Sequence, residues 1–282
     1  MSTSIPFSPL PLSQEDVSYE YGPDSVARPG VEPGAVEQFR MEASRRFPGT
    51  TRSVWVHRPA GHRADEPSAV MFFNDGWWYL DPDGDVRGGI VLDNLAAAHD
   101  LPQMIGVFVD PGPLDVAGVP TKHRKDEYDA FDSTYASFLL DEVLPIVQEC
   151  YAVSEDPMMR GICGGSSGGN SAVTAAWTRP DGLGRAVAFN PSFAQMPGGN
   201  PYPALFTTEP RRSTKFFLHA AHRDLHWNES GWNWFAESLD TAAALARAGY
   251  DFRLAVGDGG HSPNHGGVLL PDALRWLWQP AR

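Results

Sequence analysis

The chain has only two cysteines, no apolar run of membrane-spanning length, and far fewer cations than anions. Each shortage excludes a class of protein. Cys150 and Cys163 cannot build a disulfide framework, and buried thiols are the expected state. No segment approaches the roughly 18 apolar residues of a membrane span. Met1 to Asp16 lacks the basic start and apolar stretch of a signal peptide, so a cytoplasmic location is expected. A formal net charge of −13 and a pI near 5.0 argue against nucleic acid or an anionic membrane as a main partner, because both would be repelled. No His-Glu-x-x-His pattern is present, and no internal repeat.

What is present is a soluble, core-forming composition, 42% hydrophobic and 20% charged, over 282 residues, enough for one α/β domain. Residues 1–45 are rich in Pro, Gly and Ser and read as an N-terminal extension that wraps the surface or is partly mobile, a poor place to look for chemistry. Strand-like apolar runs then recur at Thr51 to His57, Ala69 to Asn74, Met104 to Val109, Met158 to Cys163, Ala186 to Asn190, Lys215 to Ala220 and Asp251 to Val256. Helical patterns alternate with them at Val91 to Ala98, Phe131 to Glu149, Asn170 to Trp177, Trp234 to Ala248 and Val268 to Trp278. In the second of these, Phe131, Tyr135, Phe138 and Leu139 make an apolar stripe. The alternation predicts a single α/β domain over 1–282, with a mostly parallel central sheet and helices on both faces.

In such sheets reactive groups collect beyond the carboxyl ends of the strands. After Met158 to Cys163 stands Gly164-Gly165-Ser166-Ser167-Gly168-Gly169, followed by a small-residue helix. With 28 glycines a chance G-x-S-x-G is common, so the strand, turn and helix context carries the argument. Glycines two positions either side of Ser166 let a strand turn sharply into a helix and lift the serine hydroxyl out of the sheet. Ser166 is the candidate nucleophile. A serine needs a base, and of nine histidines His261 leads because Gly257-Asp258-Gly259-Gly260 gives it a flexible loop after the last strand. His265 is its rival in the same loop. Asp224, after Lys215 to Ala220, falls between serine and histidine, and Glu229 is the alternative acid. The order Ser166, Asp224, His261 is that of α/β-hydrolases. Oxyanion donors are expected from the backbone N–H of Ser167 and from Gly76 or Trp77.

The motifs together resemble the enterochelin-esterase-like branch of the putative-esterase family, related to esterase D and the feruloyl esterases. The likeness runs through Arg46-Phe47-Pro48-Gly49-Thr50-Thr51-Arg52, Asn74-Asp75-Gly76, Glu127-Tyr128-Asp129, Gly165-Ser166-Ser167-Gly168-Gly169, Ala248-Gly249-Tyr250-Asp251, Gly257-Asp258-Gly259-Gly260-His261 and Leu270-Pro271-Asp272-Ala273-Leu274-Arg275-Trp276-Leu277-Trp278. It implies an α/β-hydrolase fold, carboxylic ester substrates, no cofactor and no metal, with Ser166 as nucleophile and His261 as base. Two departures stand out. Relatives usually have glycine where this chain has Ala221, and small or medium residues where it has Trp77 and Trp78. The two indoles predict a narrowed pocket for a flat or aromatic substrate, and Trp227, Trp232 and Trp234 could stack on a ring. The siderophore esterases of the family carry an extra N-terminal domain that this length does not accommodate, so activity on enterochelin itself is not expected.

Two other readings use the same residues. An acyltransferase would keep the triad and exclude water in favour of an alcohol or sugar acceptor. A metal-dependent hydrolase would draw ligands from His219, His222 and His226, but would leave the glycine elbow without a purpose.

Overall fold

The computed structural model describes residues 17–116 and 119–279. The leader reading of Met1 to Asp16 lies outside them. The strands are β1 (Ala35–Met41), β2 (Arg52–Arg58), β3 (Ala69–Asn74), β4 (Met104–Val109), β5 (Pro113–Val116), β6 (Val119–Lys122), β7 (Arg160–Gly165), β8 (Arg185–Phe189), β9 (Lys215–Ala221) and β10 (Phe252–Gly257). The helices are α1 (Gly76–Leu80), α2 (Gly88–Ala97), α3 (Arg124–Tyr128), α4 (Thr134–Phe138), α5 (Leu144–Cys150), α6 (Ser167–Thr178), α7 (Tyr202–Thr208), α8 (Trp234–Arg247) and α9 (Pro263–Trp278).

Eight strands form one mixed, mostly parallel sheet in the order β1-β2-β4-β3-β7-β8-β9-β10, antiparallel only where β2 pairs with β1 and β4. β5 and β6 make a separate hairpin. Strands β3 and β4 are buried along their whole length, because helices cover both faces. The two-residue period sorts their side chains between two cores. Phe72, Val107 and Ile162 pack with the helices from α4 to α8. Met71, Phe73, Phe108 and Cys163 pack with α2 and α9, and Phe73 stacks on Phe108 at 4.4 Å. Each such ring contributes about 1.5–3 kcal/mol by leaving water.

The order also locates a crevice. From β3 the chain crosses first to β4 on one side and then to β7 on the other, so the carboxyl ends of β3 and β7 border a topological switch point.

Several elements differ from the sequence pattern. β1 lies inside the 1–45 stretch read as an extension; its mostly exposed edge position leaves no apolar alternation to read. The helix expected over Phe131 to Glu149 begins at Thr134, where Asp132 Oδ1 accepts the Thr134 N–H at 2.7 Å. It passes through a π turn at Leu139–Val143 before α5, whose Pro145 brings no N–H of its own to the ladder. Phe131 is therefore outside the helix, set against the Tyr202 ring. α9 starts five residues earlier than expected, capped by Ser262, so His265 belongs to a helix rather than to the His261 loop.

Candidate active site

Ser166 sits between β7 and α6 with φ 58° and ψ −128°, a conformation that costs a non-glycine residue about 1–3 kcal/mol. Backbone hydrogen bonds hold it there. Its N–H donates to Phe189 O at 2.9 Å, and its carbonyl accepts from Gly169 N (2.9 Å), Asn170 N (3.0 Å) and Ser192 N (3.2 Å). A Cβ on Gly164 would come within 2.3 Å of Gly168 O, and one on Gly168 within 3.1 Å of the Asp75 carboxylate, so the steric reading of both glycines agrees with the packing. Asn74, at the end of β3, braces the turn from below: its Nδ2 donates to Gly168 O at 2.8 Å, and Tyr135 OH donates to its Oδ1 at 2.7 Å.

Asp224 is buried just after β9, and its Oδ1 lies 2.6 Å from His261 Nδ1 while also accepting Leu225 N–H at 2.7 Å. His261 and Ser166 line one small pocket of about 60 Å³ together with Trp78, Tyr79, Phe189, Asn190 and Pro263. Glu229, by contrast, lies at the surface against His226 Nδ1 (3.0 Å). His265 is buried behind the pair, edge-on to His219 at 5.1 Å. Burial lowers both of these imidazoles, His219 to about 3, so they are neutral at pH 7. His219, His222 and His226 do not converge: His222 packs on Phe235 and His226 on Glu229 and Trp232.

The loop that carries His261 is fastened by the N-terminal stretch. Tyr19 OH accepts Asp258 N–H at 2.7 Å, and Tyr19 backbone atoms exchange two hydrogen bonds with Asn264. Gly259, at φ +85°, approaches Val17 so closely that a Cβ would lie 2.9 Å from the valine Cβ.

The tryptophans divide. Asp75 adopts a left-handed conformation (φ 57°) before the single turn α1, and successive residues of a helical turn point about 100° apart. Trp78 accordingly lines the Ser166 pocket, while Trp77 packs on Trp55 at 5.8 Å. Trp227 lies under the Arg223 guanidinium and Trp232 beside His226, both exposed and apart from the residues that line the pocket. Trp234 is buried with its ring 5.0 Å from that of His261, in edge-to-face contact, and so is covered rather than open to a ligand. Of the oxyanion candidates, Ser167 and Gly76 are the first residues of α6 and α1, whereas Trp77 N–H already donates to Asp110 Oδ1 at 3.1 Å.

Four residues around the pocket are given no role by the sequence, although Arg52 and Asp129 stand within the motifs that carry the resemblance. Arg124 grips Asp75 through Nε (2.5 Å) and Nη2 (2.8 Å) and reaches Gly165 O at 3.2 Å. Asp129 accepts the Ser167 and Ser192 hydroxyls at 3.1 and 3.0 Å. Asp110 has its carboxyl raised by burial, partly offset by the Trp77 N–H. Arg52 holds Glu127 in a buried bidentate pair at 2.7 and 2.9 Å. Beyond Trp78 a wider cleft of about 470 Å³ opens between Asp75, Asp110, Pro113, His123 and Arg124.

Comparison with known proteins agrees with this architecture. The enterobactin esterase of Shigella flexneri, solved in the presence of 2,3-di-hydroxy-N-benzoyl-serine, superposes with a TM-score of 0.72 at 20% identity, over 91% of this chain and 62% of that one. The CE1 ferulic acid esterase of Anaeromyces mucronatus, in complex with ferulic acid, gives 0.71 at 18% identity over 95% of this chain and 97% of that one. The chain thus spans under two thirds of the enterobactin esterase and nearly all of the fungal enzyme. No curated protein matches in sequence. The family model described as putative esterase matches residues 44–261, from the segment before β2 to the histidine beside Asp224. The chain belongs to the putative esterase family.

Proposed function

We propose that the chain cleaves a carboxylic ester by two-step acyl transfer, with Ser166 as nucleophile, His261 as general base and Asp224 as the acid that orients it. The 2.6 Å approach of His261 Nδ1 to a buried Asp224, with the same imidazole lining the pocket that holds Ser166, carries the reading. With Nδ1–H donated to the carboxylate, Nε2 is the nitrogen left to take the serine proton. Ser166 Oγ then attacks the ester carbonyl and the oxyanion meets Ser167 N–H at the start of α6. A second donor comes from the α1 turn. Gly76 N–H serves directly, whereas Trp77 N–H serves only once the substrate displaces Asp110. Collapse expels the alcohol, protonated by His261, and the imidazole next activates water to release the acid.

Trp78, Tyr79, Phe189 and Pro263 give the pocket flat, mostly apolar walls, which suits an aromatic acyl group with the alcohol directed into the wider cleft. The molecules seen with the two structural neighbours, a dihydroxybenzoyl-serine and ferulic acid, are of that kind.

The test is hydrolysis of feruloyl, benzoyl and p-nitrophenyl esters by wild type and Ser166→Ala, with intact-mass analysis after an organophosphonate. The expected outcome is a loss of about 10⁴-fold or more in the variant and one adduct on wild type only. Equal rates without an adduct overturn the assignment.

A further inference from the structure

A second cavity, of about 400 Å³, lies at the opposite end of the sheet from Ser166, where β8 and β9 begin. Its size is within the about 300–1,000 Å³ usual for small-molecule sites. Four cations line it, Arg185, Arg211, Arg212 and Lys215, and among its lining residues Asp251 is the one carboxylate. In a chain of net charge −13 this is a local reversal of sign.

The cations are held in place mainly by groups that do not neutralise them. Arg185 donates to Met158 O at 2.6 Å and to Leu277 O, and lies over the Trp278 ring. Lys215 donates to Trp276 O at 2.9 Å, with the largely exposed Asp251 carboxylate 3.4 Å away. Arg211 donates to Gly249 O at 2.6 Å, and the Arg212 guanidinium rests on the Trp177 face at 3.8 Å. Carbonyls and ring faces orient a cation without neutralising it, and with Asp251 the one lining carboxylate against four cations the cavity keeps an excess of positive charge whose electrostatic cost a bound anion would recover. Burial lowers both Arg185 and Lys215, partly offset by Asp156 and Asp251 at Arg185 and by Asp251 at Lys215.

We propose that this cavity is a binding site for a phosphate-bearing small molecule, its phosphoryl oxygens received by Arg185, Arg211, Arg212 and Lys215. Guanidinium forks match phosphate oxygens in pairs, and the lysine adds a point charge. The site is independent of the ester chemistry, since β9 alone, seven residues long, separates the two ends by roughly 20 Å.

The test is isothermal titration calorimetry with pyrophosphate, and with inorganic phosphate, at constant ionic strength set by chloride. Wild type is expected to bind pyrophosphate saturably at one site per chain. Arg211→Gln/Arg212→Gln should weaken binding at least tenfold while retaining the wild-type circular dichroism spectrum. Absence of a saturable isotherm, or one that vanishes when chloride is matched, overturns the proposal. So does an unchanged affinity in the double variant. If that variant does not fold, an unchanged affinity in Arg211→Gln alone decides against the site.

Discussion

Removing the charge of Glu127 tests how the pocket is supported. Arg52 in β2 and Glu127 in α3 are both essentially inaccessible to water, joined by two hydrogen bonds, and Glu127 also accepts Gly112 N–H at 3.2 Å. In Glu127→Gln the guanidinium keeps Thr50 Oγ1 at 2.8 Å, Asp110 O at 3.5 Å and the Phe138 face at 4.2 Å, none of which carries a negative charge. Breaking a buried pair from one side costs about 3–5 kcal/mol, whereas replacing both partners by apolar groups is often neutral or stabilising. Urea unfolding should therefore show a loss of about 3–5 kcal/mol for Glu127→Gln or Arg52→Met, and recovery of most of it in Arg52→Met/Glu127→Leu. The pair also anchors the segment from Asp110 to Arg124, whose ends hold Trp77 N–H and Asp75. Misplacing those contacts by about 1 Å should lower kcat by up to about 10²-fold in Glu127→Gln. A single substitution costing under about 1 kcal/mol, or a double variant no better than either single, refutes the reasoning.

Other substitutions test the neighbouring parts. Asp224→Asn should reduce kcat by about 10⁴-fold through the wrong histidine tautomer, while Glu229→Gln stays close to wild type; comparable losses in steady-state assays would reassign the acid. Trp78→Ala should change the ratio of kcat/KM between benzoyl and acetyl esters, whereas Trp77→Ala, whose ring lies on Trp55, should leave that ratio nearly unchanged. A pH series of unfolding free energies addresses His219. Its folded pKa, about 3, is below the unfolded value of about 6.5, so between these limits the unfolded chain binds a proton that the native state does not. The stability this group contributes is complete above about pH 6.5 and is lost on acidification by up to about 1.4 kcal/mol per unit. His219→Leu should flatten that slope, and an unaltered slope would place the acid sensitivity elsewhere.

The features legible in the sequence are those imposed by steric demand over a few residues. Gly164 and Gly168 announce the turn at Ser166 because a Cβ would clash at the first and crowd Asp75 at the second, and the strands β3 and β4 announce themselves by continuous burial. The Asp224 and His261 pairing is legible only as an order along the chain; that Asp224 rather than Glu229 meets the imidazole depends on the path of the loop after β9. The contacts that brace the pocket were hidden because each joins residues far apart in sequence and of ordinary type: Arg124 with Asp75, Arg52 with Glu127, Tyr19 with Asp258. Trp77 and Trp78 make the same point most sharply. Composition treats the two indoles alike, yet the left-handed backbone at Asp75 sends one onto Trp55 and the other into the pocket. Arg124 fixes the Asp75 carboxylate at both oxygens, so it also steadies the turn that aims Trp78. The acyl preference is therefore expected to depend on an ion pair whose partners line the wider cleft rather than the Ser166 pocket. Arg124→Gln should alter the benzoyl-to-acetyl preference in the same direction as Trp78→Ala, and a preference identical to wild type would show that the turn holds its course without the guanidinium.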